Sequence, residues 1–140
     1  MLSGIGTVLE DNPQLNVRDI DTPRQPTLVI VDSKLETPLN AKLWQTQREV
    51  WIYCASEDAN RRAALEAKGA HIIHMPNPQG KVDLPPMLDE LGRRGLNEIH
   101  VETGTRLNGS LLAEGCVDEL LVYLAPSLIG STGLGMFDLP

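Results

Sequence analysis

Aromatic residues are scarce. Phe, Trp and Tyr together make up 4% of the 140 residues, so a packed interior must be assembled from Val, Ile, Leu and Ala. The two cysteines, Cys54 and Cys116, lie far apart and in no CxxC or Cys/His cluster. That supports neither a disulfide framework nor a structural zinc site, and it fits a reducing, cytoplasmic setting. Basic residues are outnumbered, 12 Lys+Arg against 19 Asp+Glu, for a net charge of −7. Such a balance argues against a nucleic-acid or anionic-membrane surface, while leaving room for an anionic small ligand held by a few local donors. No apolar run approaches the roughly 18 residues that a spanning helix needs. The opening MLSGIGTVL carries no basic residue and is ended by Glu10 and Asp11, too short and wrongly flanked for a secretory signal. Length and composition imply one acidic globular domain.

What is present is a series of β-branched runs separated by helical patterns. TLVIVD (Thr27–Asp32), EVWIYC (Glu49–Cys54), AHIIHM (Ala70–Met75), NEIHVE (Asn97–Glu102) and ELLVYLA (Glu119–Ala125) read as strands. Most are apolar on consecutive positions, which suits strands covered on both faces. Ser56 can cap a helix running to Lys68 and stopped by Gly69. Asp83 can cap a second, in which Leu84, Met87, Leu88 and Leu91 fall on one face. A third runs from Thr105 to Glu114 and closes on Gly115. The alternation implies parallel crossovers: an α/β fold of three layers, α/β/α, around a mostly parallel sheet. Residues 10–26 and 33–48 are long polar connections and therefore candidate ligand loops.

The strongest local signal is ETGTRLNGS, Glu102–Ser110, which passes from a strand end into a helix N-terminus. Gly104 lets the backbone turn and a ligand approach, and the free amides of the next turn attract phosphate. Gly104 and Gly109 have the spacing of a phosphate-binding GxxxxGK[ST] loop, but Ser110 stands where its lysine belongs, and no GxGxxG fingerprint occurs. A structural turn with a capping threonine explains the same residues. Glu102, ending a strand, is placed to face a ligand crevice or to brace the loop. A second cluster, Gly4–Arg18, holds Gly4 and Gly6 for close approach, an Asn12-Pro13 turn, and Arg18 as a fork for phosphate or an ordinary surface residue. Ser33 and Lys34 place a hydroxyl and an ammonium after a strand. His71 and His74 fall on opposite faces of one strand, and no Ser/His/Asp or Cys/His set assembles, so metal and covalent catalysis are disfavoured.

These stretches taken in order resemble a known family. LSGIGTVLEDNPQLNVR, LVIVDSKLETP, GKVDLPPMLDELGRRGLNEIHVETGTRLNGSLLAEGCVDELLVYLAPSLIG and a trailing FDLP look like the reductase domain of the bifunctional riboflavin-biosynthesis deaminase/reductase, a dihydrofolate-reductase-like family. The resemblance covers nearly the whole of 1–140. It implies reduction of 5-amino-6-(5-phosphoribosylamino)uracil by NADPH, the ribose being opened and reduced at C1′. By the same resemblance, Thr7, Asp11, Ser33 and Lys34 lie at the cofactor, and Gly104, Thr105, Arg106, Leu107, Asn108, Gly109 and Ser110 wrap its pyrophosphate. Leu15 and Arg18 meet the substrate, with Arg18 on its phosphate, and Glu102 lies against it as the candidate catalytic carboxyl. No metal is implied.

The chain departs from the family pattern at several points. Thr103 stands where Gly or Ala is usual, Asn12 where Asp is, Glu36 where a basic residue is common, and Ser127 for a frequent Lys. Glu36 beside a 2′-phosphate would weaken NADP preference. The family also has a strand and substrate loop before LSGIG and a hairpin after FDLP. The 140 residues are therefore expected to be an incomplete reductase domain, prone to self-association through an unpaired sheet edge, with a deaminase domain in the parent and a homodimer as the assembly.

Overall fold

The computed structural model describes residues 1–139. Its elements in order are β1 (Leu2–Gly4), α1 (Ile5–Asp11), β2 (Leu28–Val31), a short 3-10 turn (Lys42–Gln45), β3 (Val50–Cys54), α2 (Ala59–Glu66), β4 (Ala70–His74), α3 (Leu84–Arg93) and α4 (Thr105–Ala113). The four strands form one sheet in the order β1-β2-β3-β4, every pair parallel. The consecutive apolar runs have the expected cause, because alternate residues of each strand serve opposite cores. Leu28, Ile30, Val50, Ile52 and Cys54 pack with Val8 of α1 and Leu65 of α2. Val29, Trp51 and Tyr53 pack on the other face with Leu84, Met87 and Leu91 of α3 and Leu111 of α4. The result is the three-layer α/β/α arrangement read from the sequence.

Helix ends follow local chemistry. The Asp58 carboxylate accepts from the amides of Asn60 and Arg61 at 3.0 and 2.9 Å, so α2 starts there and not at Ser56, whose Oγ instead accepts the Asp58 N–H. A carboxylate two residues nearer the apolar stretch wins the cap. Asp83, Pro85 and Pro86 open α3 as expected. Gly69 and Gly115, with φ of +91° and +68°, close α2 and α4.

Two expected strands need correction, and the Gly4–Arg18 cluster contains two elements that the strand and helix patterns did not mark, a buried three-residue strand and a seven-residue helix. Asn97–Glu102 is reduced to a single bridge between Leu2 and Val101, held by Leu2 N–H to His100 O (2.8 Å) and Glu102 N–H to Leu2 O (2.9 Å). Glu119–Ala125 forms no strand, and Tyr123 and Leu124 are 86% and 88% exposed. An apolar run becomes a strand only where an edge accepts its amides and carbonyls. Among the described residues 97–102 make only the Val101 bridge, so they offer 119–125 no regular ladder to extend.

Candidate active site

β1 lies between β2 on one side and the Val101 bridge on the other. The helices that follow these adjacent segments diverge, α1 onto the face of Val8 and α4 onto the face of Leu107 and Leu111. Such divergence opens a crevice at the C-terminal ends of the strands, where open α/β sheets take their ligands. The two walls are tied together. Gly4 N–H donates to Thr103 Oγ1 at 3.1 Å, and Ser3 Oγ donates to the Glu102 carbonyl at 2.7 Å. A side chain at Gly4 would put its Cβ 2.8 Å from Thr103 Oγ1, so this seam requires glycine. Thr103 thus supplies the hydroxyl that joins β1 to the loop.

The Thr7 hydroxyl faces Gly104, and the Arg106 guanidinium lies beside Gly6. No side chain caps the N-terminus of α4, so its first-turn amides and Arg106 present donors to the crevice. Next to it, a cavity of about 80 Å³ is lined by Ser33, Leu107, Ser110, Lys81, Asn77 and Glu114, among others. Lys81 and Asn77 had drawn no attention in the sequence. They come from the turn between β4 and α3, where the Asn77 side chain accepts the amides of Gln79 and Lys81 at 3.0 and 2.9 Å. The Asn-Pro-Gln-Gly run was the available signal, being a turn motif that ends on a lysine.

Ser33 is held from beneath. The Asp32 side chain is fully buried; its carboxylate accepts from Glu36 N–H (2.9 Å), Thr37 N–H (2.8 Å) and Thr37 Oγ1 (2.7 Å). Arg61 of α2 fastens the same turn by donating to the Leu35 and Thr37 carbonyls, both at 2.8 Å. Residues 33–48 are therefore less a free loop than a braced one, with Leu35 and Leu43 wholly buried.

The remaining candidates scatter. Glu102 is exposed at the crevice. Asp11 is exposed at the far end of α1, and Lys34 is exposed on the turn after β2. Asn108 is occupied, its Nδ2 donating to the Thr103 and Met136 carbonyls at 3.3 Å. Gly109 faces the chain end: a Cβ there would come 2.0 Å from the Asp138 carbonyl oxygen. Leu15 is 6% exposed, within the core beneath α1. Arg18 is exposed and stands apart from Arg106. Its neighbour Val17 lies with Met1, Thr27 and Glu49, at the N-terminal ends of the strands. Arg18, Lys34 and Arg106, the basic groups that the resemblance sets at the ligands, do not form one cluster: Arg18 lies toward the N-terminal ends of the strands, and Arg106 sits in the first turn of α4 at the other end. Among the described residues no group of three His, Cys, Asp or Glu side chains is placed to hold a metal.

Neither thiol is activated. Burial pushes Cys54 up, only partly opposed by the Ser56 backbone and the Arg62 charge, and burial with the nearby Glu114 pushes Cys116 up.

Known proteins share this arrangement. The riboflavin biosynthesis protein RibD of Bacillus amyloliquefaciens is 37% identical over 134 residues, covering 94% of this chain and 36% of the Bacillus protein. The 5-amino-6-(5-phosphoribosylamino)uracil reductase of Buchnera aphidicola is 30% identical over 142 residues, covering 93% of this chain and 67% of that protein. A deaminase/5-amino-6-(5-phosphoribosylamino)uracil reductase from Thermotoga maritima superposes with a TM-score of 0.58 at 25% identity, over 81% of this chain and 30% of that one. The chain thus spans little more than a third of the Bacillus relative. Its four-stranded parallel sheet, with the glycine-led helix α4 rising beside β1, lies wholly inside a match to one family model, the RibD C-terminal domain, over residues 1–140, and the chain belongs to that family.

Proposed function

We propose that this chain provides the reductase site for NADPH-dependent reduction of 5-amino-6-(5-phosphoribosylamino)uracil to its ribitylamino product in riboflavin biosynthesis. The observation that carries the reading is the family match along residues 1–140, whose ETGTRLNGS stretch falls at the crevice between α1 and α4. The residues there suit a dinucleotide phosphate. Uncapped first-turn amides and Arg106 offer donors at one wall, and Ser33, Ser110 and Lys81 line the adjoining cavity. Bound there, the dihydronicotinamide supplies the hydride that reduces C1′ of the opened ribose.

The chain's own residues contribute position and charge. Thr7, whose hydroxyl faces Gly104, and Gly104 itself shape the cofactor's side of the crevice. The Glu102 carboxyl, at the crevice end of its segment, lies against the ribose oxygen that must gain a proton as the ring opens. Arg18 is the fork that the resemblance assigns to the 5-phosphate, while its segment lies at the N-terminal ends of the strands, away from the crevice. Lys34 and Lys81 set the preference for the 2′-phosphate of NADPH, against the opposing charges of Glu36 and Glu114. Asp11 and Gly109 belong to the cofactor side by the resemblance, and Asn108 acts by tying α4 to the Thr103 carbonyl. A homodimer, a cytoplasmic setting and an associated deaminase domain belong to the same proposal; the Thermotoga protein's description names both activities.

The test is NADPH oxidation followed at 340 nm with the aminouracil substrate, the product identified by a mass gain of two hydrogens. Turnover lost in Glu102→Gln, with NADPH binding kept, is the expected result. Turnover of a different pyrimidine or pteridine in preference to this one would overturn the substrate assignment.

A further inference from the structure

The cavity of about 80 Å³ lies on the crevice side of the sheet and runs along α4, from Leu107 near its start to Glu114 at its end. Its remaining walls come from Ser33, just after β2, and from the turn between β4 and α3. That turn holds a fixed shape. Asp83 N–H donates to Met75 O at 2.9 Å, Asn77 N–H to Lys81 O at 2.7 Å, and Gly80 N–H to Asn77 O at 3.0 Å. Gly80 has φ of +71°, a bend that needs glycine. Val82 is 3% exposed and packs in the core with Leu84 and Met87. Lys81 therefore stands on a rigid backbone, next to a buried anchor, with its own side chain exposed.

The turn is also fastened to Ser33, whose Oγ accepts the Val82 N–H at 3.2 Å. That bond uses a lone pair of the hydroxyl and leaves its proton free to donate. Ser110 differs, because its hydroxyl already donates to Arg106 O at 3.1 Å. Among the described residues Lys81 makes no salt bridge; the two that form are Arg62–Glu66 and Arg94–Glu90. The cavity thus holds a free hydroxyl donor and a free ammonium, with one carboxylate, Glu114. Lys34, next to Ser33 in the sequence, does not line it. From Thr105, which opens α4, to Ser110 is about 7–8 Å at helical rise. One ribose carrying a 5′- and a 2′-phosphate bridges such a distance.

We propose that Lys81 and the Ser33 hydroxyl form the subsite for the 2′-phosphate of NADPH, that Glu114 in the same cavity weakens it, and that Lys34 acts only through its longer-range field. The proposal rests on the reading that this chain binds NADPH with its pyrophosphate at the start of α4. It deepens that reading by giving the discrimination against NADH to one lysine, carried by a turn 47 positions beyond Lys34 in the sequence.

The test titrates 2′,5′-ADP, 5′-AMP, NADPH and NADH against the protein and against Lys81→Gln, Lys34→Gln and Glu114→Gln, all at exposed side chains. Lys81→Gln is expected to weaken 2′,5′-ADP and NADPH about tenfold, the scale of a lost hydrogen bond to a charged group. 5′-AMP and NADH stay within twofold. Lys34→Gln weakens the 2′-phosphorylated ligands by no more than about threefold, and Glu114→Gln strengthens them about two- to threefold. Added salt narrows the preference for NADPH over NADH in the protein and changes it less in Lys81→Gln.

Equal losses of NADPH and NADH in Lys81→Gln, or no loss of either, overturn the subsite. A larger loss in Lys34→Gln than in Lys81→Gln overturns the division between the two lysines. 2′,5′-ADP held no tighter than 5′-AMP by the unaltered protein also counts against the subsite, and failure to bind NADPH overturns the cofactor reading together with it. Lys81-dependent binding of 2′,5′-ADP without reduction of the aminouracil supports the subsite and counts against the reductase reading alone.

Discussion

Replacing Asp32 probes the turn that carries Ser33 into the candidate cofactor cavity. The carboxylate is fully buried and accepts three hydrogen bonds, from the amides of Glu36 and Thr37 and from the Thr37 hydroxyl. In Asp32→Ala the hydroxyl can rotate to another acceptor, but the two amides are fixed by the backbone. A buried donor left without a partner costs about 1–3 kcal/mol, so the two amides together lose about 2–6 kcal/mol. Asp32→Asn keeps one oxygen and turns an NH2 toward the remaining donor, for about half that. Arg61 still grips the Leu35 and Thr37 carbonyls, so the turn loosens without being released. Against a total stability of about 5–15 kcal/mol the alanine variant should still fold. Urea unfolding followed by tryptophan fluorescence is a suitable assay, because the Trp44 ring nitrogen donates to the Pro38 carbonyl next to this turn. With a slope of about 1–3 kcal/mol per molar, the midpoint should fall by about 1–2 M in Asp32→Ala and by less in Asp32→Asn. A shift under about 0.3 M, or the reverse order of the two variants, would falsify the account of this carboxylate.

Other perturbations test other parts. Gly109→Ala places a Cβ 2.0 Å from the Asp138 carbonyl oxygen; the chain end should detach, losing the Asp138 N–H to Thr105 O bond and the Asn108 bond to Met136 O. Those losses of about 1 kcal/mol each exceed the gain of about 1 kcal/mol in helix propensity, for a net loss of about 1 kcal/mol. The melting midpoint should fall by about 3–4 °C while hydrogen exchange at 136–139 rises sharply, and unchanged exchange there would refute the contact. The Tyr53 hydroxyl is buried with no protein partner, so Tyr53→Phe should leave stability equal or raise it by up to about 1 kcal/mol; a clear loss in calorimetry means that the hydroxyl is satisfied after all.

Alkaline titration has a definite sign. Burial, with Glu90 adding and Arg94 opposing, raises the pKa of Tyr53, and burial raises that of Cys54. Both stay protonated in the folded chain after they ionise in the unfolded one, so stability should fall as pH rises beyond about 9–10. A Cys54→Ala, Tyr53→Phe double variant should flatten that decline, and an identical alkaline slope would count against it.

Much of this protein was legible in its residues because the determinants are local. β2, β3 and β4 were readable as consecutive apolar runs, since strands covered on both faces have no polar side to alternate with. The α3 and α4 boundaries were fixed by Asp83, two prolines, Gly104 and Gly115. The ETGTRLNGS stretch stood out as a strand-to-helix turn, which is where the crevice lies. Long-range pairing was not legible. β1 is three residues long and counts as a strand only because β2 and Val101 flank it. Glu119–Ala125 has the composition of a strand but finds no edge. Lys81 reaches the cavity by a turn, and Arg48 reaches residues 14 and 15 across the connection between β2 and β3. Arg18 and Arg106, both set at the ligands by the resemblance, lie at opposite ends of the sheet. Periodicity and capping are properties of neighbouring residues and can be read from their order; edges, crevices and clamps are properties of segments brought together, and only the packed sheet decides them.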